Sequence, residues 1–572
     1  MPTQEEINRM EAAARASKEK RESNEADREF RERKEAEERL EAAARASKER
    51  REKSESIQSL GIDLCTNQSP YKKIDLESTM DWDDRFNRDN NASFLSWIRR
   101  YDHAREQELT DWASLLHPDR LACKLTTHKR NDSRGAYNLG CKVEFENGEK
   151  WIVRFPMVGK VVNADEKIEI EVATMNLIRQ QTTIPIPNVK AWGLAADNPL
   201  GIGPFIMMDF IEGVTVDDIL QDPDARIMRQ DVSESVIEAI FRQMVGFLLQ
   251  LQKLDFSSIG SLTSKSETNS DGFTATLHSR PMTKKSHDFL LEGGIDVFGP
   301  RDKTFASTTE YFHHVIDGDL QHLHDQPNSV DDERDAREKY IYFNIMKSLV
   351  SRHVLRDHDM GPFKLICDDL QPTNMIINNE QDMKVIGVFD WEWSYTAPVQ
   401  LVHSTPSWLL IESPNAWSSV DERLVRFNQH LDLYSRILAE EERKILGEEF
   451  DEGRKPSSIL QACQEDGRQW FHMIILRGFN GPACVPFTKL REQTKDWDEL
   501  VSAIPEEDIE SFVSKKMADL RTYKDQMVEI EQRYNIALGG GLEDLNCFLS
   551  KNRELLALDD SRHQWQSWTR FS

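Results

Sequence analysis

The sequence predicts an α+β protein of two lobes, a small strand-rich lobe followed by a larger helical one. Two observations carry this. Strand patterns crowd between about Gly135 and Phe210, whereas the chain beyond Val214 follows helical periodicity. Inside the helical part stands one isolated hairpin, Met375 to Phe389, with polar residues gathered at its open end.

The 572 residues are enough for more than one core, and 38% hydrophobic with 30% charged residues describes a soluble chain with a polar excess. A net charge of -27 argues against a general nucleic-acid binder, because phosphate backbones are held by surplus cations. It suits a cationic ligand, and equally an acidic surface that only keeps the chain soluble. Apolar runs stay short of the roughly 20 residues of a membrane span. The opening MPTQEEINRM lacks the apolar segment of a secretory signal, and its early acids are atypical of a transit peptide. A cytoplasmic protein with no membrane and no nucleic-acid partner is therefore expected. Cys65, Cys123, Cys141, Cys367, Cys463, Cys484 and Cys547 form no CxxC pair and no zinc spacing, so reduced thiols are expected.

The expected segments are a charged helical or disordered extension (1–58), leading helices and the start of the small lobe (59–133), the small lobe (134–208), the large lobe (209–540) and a C-terminal helix and tail (541–572). The extension repeats itself: MEAAARASKEKRE from Met10 returns as LEAAARASKERRE from Leu40. Ala, Glu, Arg and Lys favour helix, but Ile7, Met10, Phe30 and Leu40 are too sparse for a coiled-coil seam. A solvated helix is the simpler reading, and a protein partner for residues 1–57 is the alternative. Apolar spacing from Ser93 to Leu116 predicts one or two amphipathic helices. Asn147-Gly148 predicts a hairpin turn between two alternating strands. A helix is expected from Asp165 to Gln180, strands at Val189–Gly193 and Phe205–Phe210, and a long helix from Ser233 to Leu254. The Ser-, Thr- and Gly-rich stretch Ser261–Thr283 reads as a loop.

The chemistry concentrates in LICDDLQPTNMIINNEQDMKVIGVFDWEW, Leu365 to Trp393. Antiparallel strands meet at their open end, so Asn374, just before the first strand, and Asp390, just after the second, must converge. Two oxygen ligands then reach one point, as Mg²⁺ requires. Asp369 precedes Asn374 by five positions on the loop leading in. A carboxylate to orient a hydroxyl, with an Asn and a second Asp for metal, is the set that phosphoryl transfer uses.

The small lobe offers a cation and its partner. Alternation along Trp151-Ile152-Val153-Arg154-Phe155 turns Arg154 away from Trp151, Val153 and Phe155. On the next helix Glu171 falls inside the apolar stripe Ile168, Val172, Met175, Ile178, whereas Glu166 and Glu169 fall outside it.

The stretch around Asp369 resembles the H-x-D-L-x-P-x-N loop and the following Asp-Trp/Phe-Glu of the aminoglycoside phosphotransferase and choline kinase-like family, in particular its large fungal branch. The resemblance spans roughly Ser93 to Ile530. It implies a two-lobed protein-kinase-like fold and an ATP- and Mg²⁺-dependent transfer to a hydroxyl of a small molecule. Asp369 would be the catalytic base, Asn374 and Asp390 the metal ligands, and Arg154 with Glu171 the Lys–Glu pair of the fold. Gly135 would lie in a short phosphate-covering Gly-x-x-Asn turn, and backbone at Met208, Asp209 and Phe210 would face adenine at the hinge. Two residues depart from the pattern: Cys367 stands at the usual His and Asp368 at the usual Gly. Cys367, behind the apolar Leu365-Ile366, is expected to be a buried, unreactive thiol.

Overall fold

A computed structural model describes residues 83–126, 132–223, 225–265, 274–417, 422–446 and 455–540. The chain divides into two units, Met1–Leu76 and Glu77–Ser572, and every described residue belongs to the second. The charged repeat, the segment 541–572, Cys65 and Cys547 lie outside the described residues.

Helices α1 (Asp84–Gln107) and α2 (Leu109–Leu116) lead into a six-stranded antiparallel sheet. Its strands are β1 (Cys123–Leu125), β2 (Ser133–Arg134), β3 (Asn138–Phe145), β4 (Lys150–Pro156), β5 (Val189–Gly193) and β6 (Phe205–Asp209). The order is β1-β3-β4-β6-β5, with β2 paired to β3. The Asn147-Gly148 turn joins β3 to β4, and Gly148 takes a left-handed φ of 85°, which glycine adopts without strain. Alternation splits the sheet as expected. Val143, Trp151, Val153 and Phe155 pack with Trp97, Tyr101 and Trp112 of the leading helices, which cover the outer face. Ile206 and Met208 point to the other face, where helix α3 (Ala164–Gln181) packs with Ile168, Val172 and Met175.

The rest is mainly helical: α4 (Val216–Leu220) follows the short strand β7 (Val214–Thr215), and α5 (Glu234–Leu251) packs against the long helix Glu422–Leu446. Helices α6 (Lys284–Gly293), α7 (Thr308–Asp325), α8 (Glu333–His353), α9 (Val399–Val402), α10 (Glu422–Leu446), α11 (Pro456–Glu465), α12 (Arg468–Leu476), α13 (Val485–Gln493), α14 (Trp497–Ser502) and α15 (Glu506–Gly540) complete it. The fold is thus α+β and two-lobed, as the sequence predicts.

Two expectations fail. Ser261–Thr283 is not simply a loop: β8 (Ser261–Lys265) pairs with β9 (Thr274–Ser279) and packs on α3. Thr263, Thr274 and Thr276 are β-branched and fit a pleated surface, a preference that Ser/Thr/Gly content alone obscures. The catalytic hairpin is also not isolated. Its strands β11 (Met375–Ile377) and β12 (Val385–Val388) are joined by β7, and β10 (Lys364–Cys367) pairs with β13 (Ser394–Ala397).

Candidate active site

Two strand ladders frame the candidate site. Pairing Met375 with Val388 brings Asn374 opposite Phe389, the residue before Asp390, and the Phe389 N–H donates to the Asn374 carbonyl at 3.1 Å. Pairing Cys367 with Ser394 fixes the other end, where the Asp368 N–H donates to the Trp393 carbonyl at 3.0 Å. The two connecting segments, 368–374 and 389–393, are therefore clamped from both sides. Asp390 has φ 60°, a left-handed conformation that Asp tolerates better than most residues.

Within this frame the Asn374 amide donates to the Asp369 carbonyl at 2.8 Å and to its carboxylate Oδ2 at 3.3 Å. Both bonds come from its Nδ2. Gln371 donates to Asp369 Oδ1 at 3.3 Å. Asp368 does different work. It accepts from the Tyr395 hydroxyl at 3.0 Å and from the Lys284 N–H at the start of α6 at 3.0 Å, so it anchors that helix. Cys367 is buried, and its Sγ donates to the Asp390 carbonyl at 3.5 Å, beneath the loop as expected. Burial, with Asp369 and Asp368 adding repulsion, pushes its thiol pKa well up.

Arg154 lies buried between two carboxylates. It pairs with Glu171 on α3 and, through its other nitrogen, with Asp390 Oδ1 at 2.7 Å. The predicted Arg154–Glu171 pair is thus formed and extends to the Asp390 loop. A second buried pair went unpredicted: Lys167, one turn before Glu171, bonds Glu392. Asn138 donates to the same Glu392 oxygen at 2.6 Å and accepts from Lys167 at 3.2 Å. The stripe arithmetic that selects Glu171 also selects Lys167, four residues earlier on the same face. Nor is Glu166 outside the buried surface: it is 6% exposed and holds Arg280 at 2.9 Å, because β8–β9 and the segment after it cover a further face of α3.

These neighbours set the carboxylates apart. Burial, then Glu392, raises Asp390 to about 7, although Arg154 opposes this. Burial also opposes the charge on Glu392, but Lys167 and Arg154 outweigh it and hold Glu392 below its ordinary value. Asp369 is raised by burial and by Glu392, with Asn374, Arg477 and Lys284 pulling the other way. Burial raises Asp368 to about 6.

Around the expected phosphate turn, the Gly135 N–H donates to the Asn138 carbonyl at 2.9 Å, so it is already committed. A Cβ at Gly135 would meet only that carbonyl, at 3.8 Å. Glycine is not sterically required there. At the hinge the N–H groups of Asp209 and Phe210 donate to the Asn188 and Lys150 carbonyls, both at 3.0 Å. Met208 lies in β6 opposite Ile152, buried on the inner face. These two N–H groups of the expected adenine-facing backbone are thus already bonded within the small lobe.

Two lobes, with the Asp369–Asn374 pair next to the Asp390 segment and a buried Arg154–Glu171 pair beside them, make up a kinase-like fold. Residues 130–400 match the model of the phosphotransferase enzyme family. Among curated relatives, altered inheritance of mitochondria protein 9 of Debaryomyces hansenii is 22% identical over 312 residues, 48% of each chain. Clavilactone A biosynthesis cluster protein Y of Ampulloclitocybe clavipes is 23% identical over 334 residues, 57% of this chain and 73% of that one. The chain spans about half the length of the first of these relatives. Among solved structures, an ethanolamine kinase of Plasmodium vivax is similar at 12% identity and a TM-score of 0.33, over 72% of this chain and 85% of that one. A macrolide 2′-phosphotransferase of Brachybacterium faecium is similar at 10% identity and a TM-score of 0.32, over 69% and 96%. Among the described residues no helix is long and apolar enough to cross a membrane.

Proposed function

We propose that the chain transfers the terminal phosphoryl group of ATP to a hydroxyl of a small molecule, with Asp369 as base. The observation that carries this is the Asn374 amide bonded to Asp369 while its own backbone is tied to the Asp390 segment. One side chain thereby sets the distance between base and metal ligand.

The residues present fit Mg²⁺. Among the described residues no group of three or more His, Cys, Asp or Glu converges into a ready-made cage. The donors are instead one amide oxygen and one carboxylate, which suits an ion that keeps waters and phosphate oxygens as its other ligands. The three carboxylates of Glu171, Asp390 and Glu392 pair with two cations, Arg154 and Lys167, a deficit that a divalent ion would fill. When bound, that ion would neutralise charge on the phosphate oxygens. Asn374 and Asp390 would hold it. Asp369, kept in place by Asn374 and Gln371, orients the acceptor hydroxyl and takes its proton. Arg154 offers a guanidinium for phosphate oxygens while Glu171 holds it.

The test is a screen of hydroxyl and amino-alcohol metabolites for ADP production with Mg·ATP, run against Asp369→Asn. Turnover of any acceptor that Asp369→Asn abolishes supports the reading. ADP production that survives the substitution overturns the assignment of the base. For the compartment we propose the cytoplasm. The mitochondrial name of one relative makes import the competing outcome, which fractionation of tagged protein decides.

A further inference from the structure

Behind the Arg154–Glu171 pair lies a closed ring of three buried side chains. Lys167 is 0% exposed, Glu392 2% and Asn138 8%. Each touches the other two: Lys167 pairs with Glu392, Asn138 donates to Glu392 Oε2 at 2.6 Å, and Lys167 donates to Asn138 Oδ1 at 3.2 Å. Each comes from a different part of the site. Asn138 ends the turn over the expected phosphate position, Lys167 lies on α3 one turn from Glu171, and Glu392 follows Asp390 by two residues.

Resting on the functional reading above, we infer that Lys167 is a positioning residue: it pins the 133–138 turn and the 389–393 segment to α3, and so sets where the phosphates stand relative to Asp390. Stability alone does not require such a ring, since buried ion pairs are often replaced by apolar residues at no cost. What an apolar pair lacks is direction. Hydrogen bonds fix the Glu392 carboxylate in one place, and with it the backbone that carries Asp390. The turn is held a second time by Tyr137, whose ring meets His287 at 5.1 Å and Trp393 at 5.3 Å. The Lys167 ammonium lies over that same Trp393 ring at 5.5 Å. The turn is therefore docked before any nucleotide arrives, unlike a free glycine-rich flap. Glu392, enclosed by Lys167 and Asn138, is thereby assigned to this ring and not to the metal.

The test compares Lys167→Met, the double variant Lys167→Met/Glu392→Leu, and Asn138→Ala, which frees only the turn. Hydrogen exchange on the nucleotide-free proteins is read first. Amides 133–142 should exchange at least about tenfold faster in all three variants, and amides 388–394 in the two Lys167 variants, with the rest of the chain unchanged. In the double variant the melting temperature should return to that of the wild type while local exchange stays fast and kcat for ATP hydrolysis stays depressed. A merely structural ring would regain both together, and that result overturns the inference. So does unchanged exchange at 133–142 in Asn138→Ala, which settles the matter even if Lys167→Met does not fold. Because exchange needs no nucleotide, failure of wild-type protein to bind Mg·ATP would sink the functional reading while leaving this result to stand or fall by itself.

Discussion

Asn374 reaches Asp369 across five residues of chain, whereas Arg154 reaches Asp390 across 236 and Asn138 reaches Glu392 across 254. The half proposed for catalysis is a local object. Two strand ladders and one amide bond build it from Lys364–Ala397, and its geometry follows from residue spacing. The half proposed for the nucleotide is built from contacts between the small lobe and the loop after β12. Its residues gain their meaning from partners that no local pattern names. The two halves should therefore respond differently when broken: the first in chemistry with the fold intact, the second in stability and chemistry together.

The largest effect belongs to the catalytic half. Asp369→Asn should cut turnover by roughly 100- to 10,000-fold, the range of a lost general base, with nucleotide binding retained. Asp368→Asn, which loosens the contacts to Tyr395 and to the start of α6, should cost stability but leave turnover within a few-fold. The reverse ranking in steady-state kinetics would mean that the base is misassigned.

In the nucleotide half, Arg154→Met leaves Glu171 and Asp390 without their shared cation. Breaking a buried pair this way costs about 3–5 kcal/mol, so denaturant unfolding should show a loss of that size, with ATP affinity falling as well. A change below about 1 kcal/mol would place the pair among surface contacts instead.

Between these lies a pH effect away from the site. Burial holds the His322 imidazole down at about 3, stacked on Phe289 at 4.6 Å and bonded to Gln326 at 2.8 Å. Its folded value lies below the ordinary 6.5, so its contribution is full above that pH and is lost as pH falls toward about 3. The stability gap between wild type and His322→Asn should narrow as pH falls from 6.5 to 4. A gap that widens reverses the sign.

The smallest effects sharpen what the comparison leaves to backbone. Gly135→Ala should bind ATP within about twofold of wild type, since the added methyl meets only one carbonyl at 3.8 Å. Cys367 should be alkylated more slowly in the native protein than the half-buried Cys123, as read by peptide mass spectrometry.

Legibility followed the same divide. Asn374 and Asp390 were readable because a hairpin must bring its ends together, Asp369 because its spacing to Asn374 resembles the family's loop, and Arg154 and Glu171 because alternation and the helical stripe gave each a face. Lys167 and Asn138 carried the same kind of signal but no partner to give it sense, since Glu392 lies more than 200 residues away. Glu166 was missed because β8–β9, read as a loop, supplies the wall that buries it. The spent N–H groups of Gly135, Asp209 and Phe210 depend on backbone pairing, which side-chain patterns do not specify.

The central claim is a Mg²⁺-dependent nucleotide site closed by Asn374 and Asp390, and titration calorimetry tests it most directly. ATP should bind wild-type protein in the presence of Mg²⁺ and far more weakly with the metal chelated. Asp390→Ala should bind alike in both conditions, at the weaker level. Binding that ignores Mg²⁺ in the wild type, or a Mg²⁺ dependence that survives Asp390→Ala, would contradict the account.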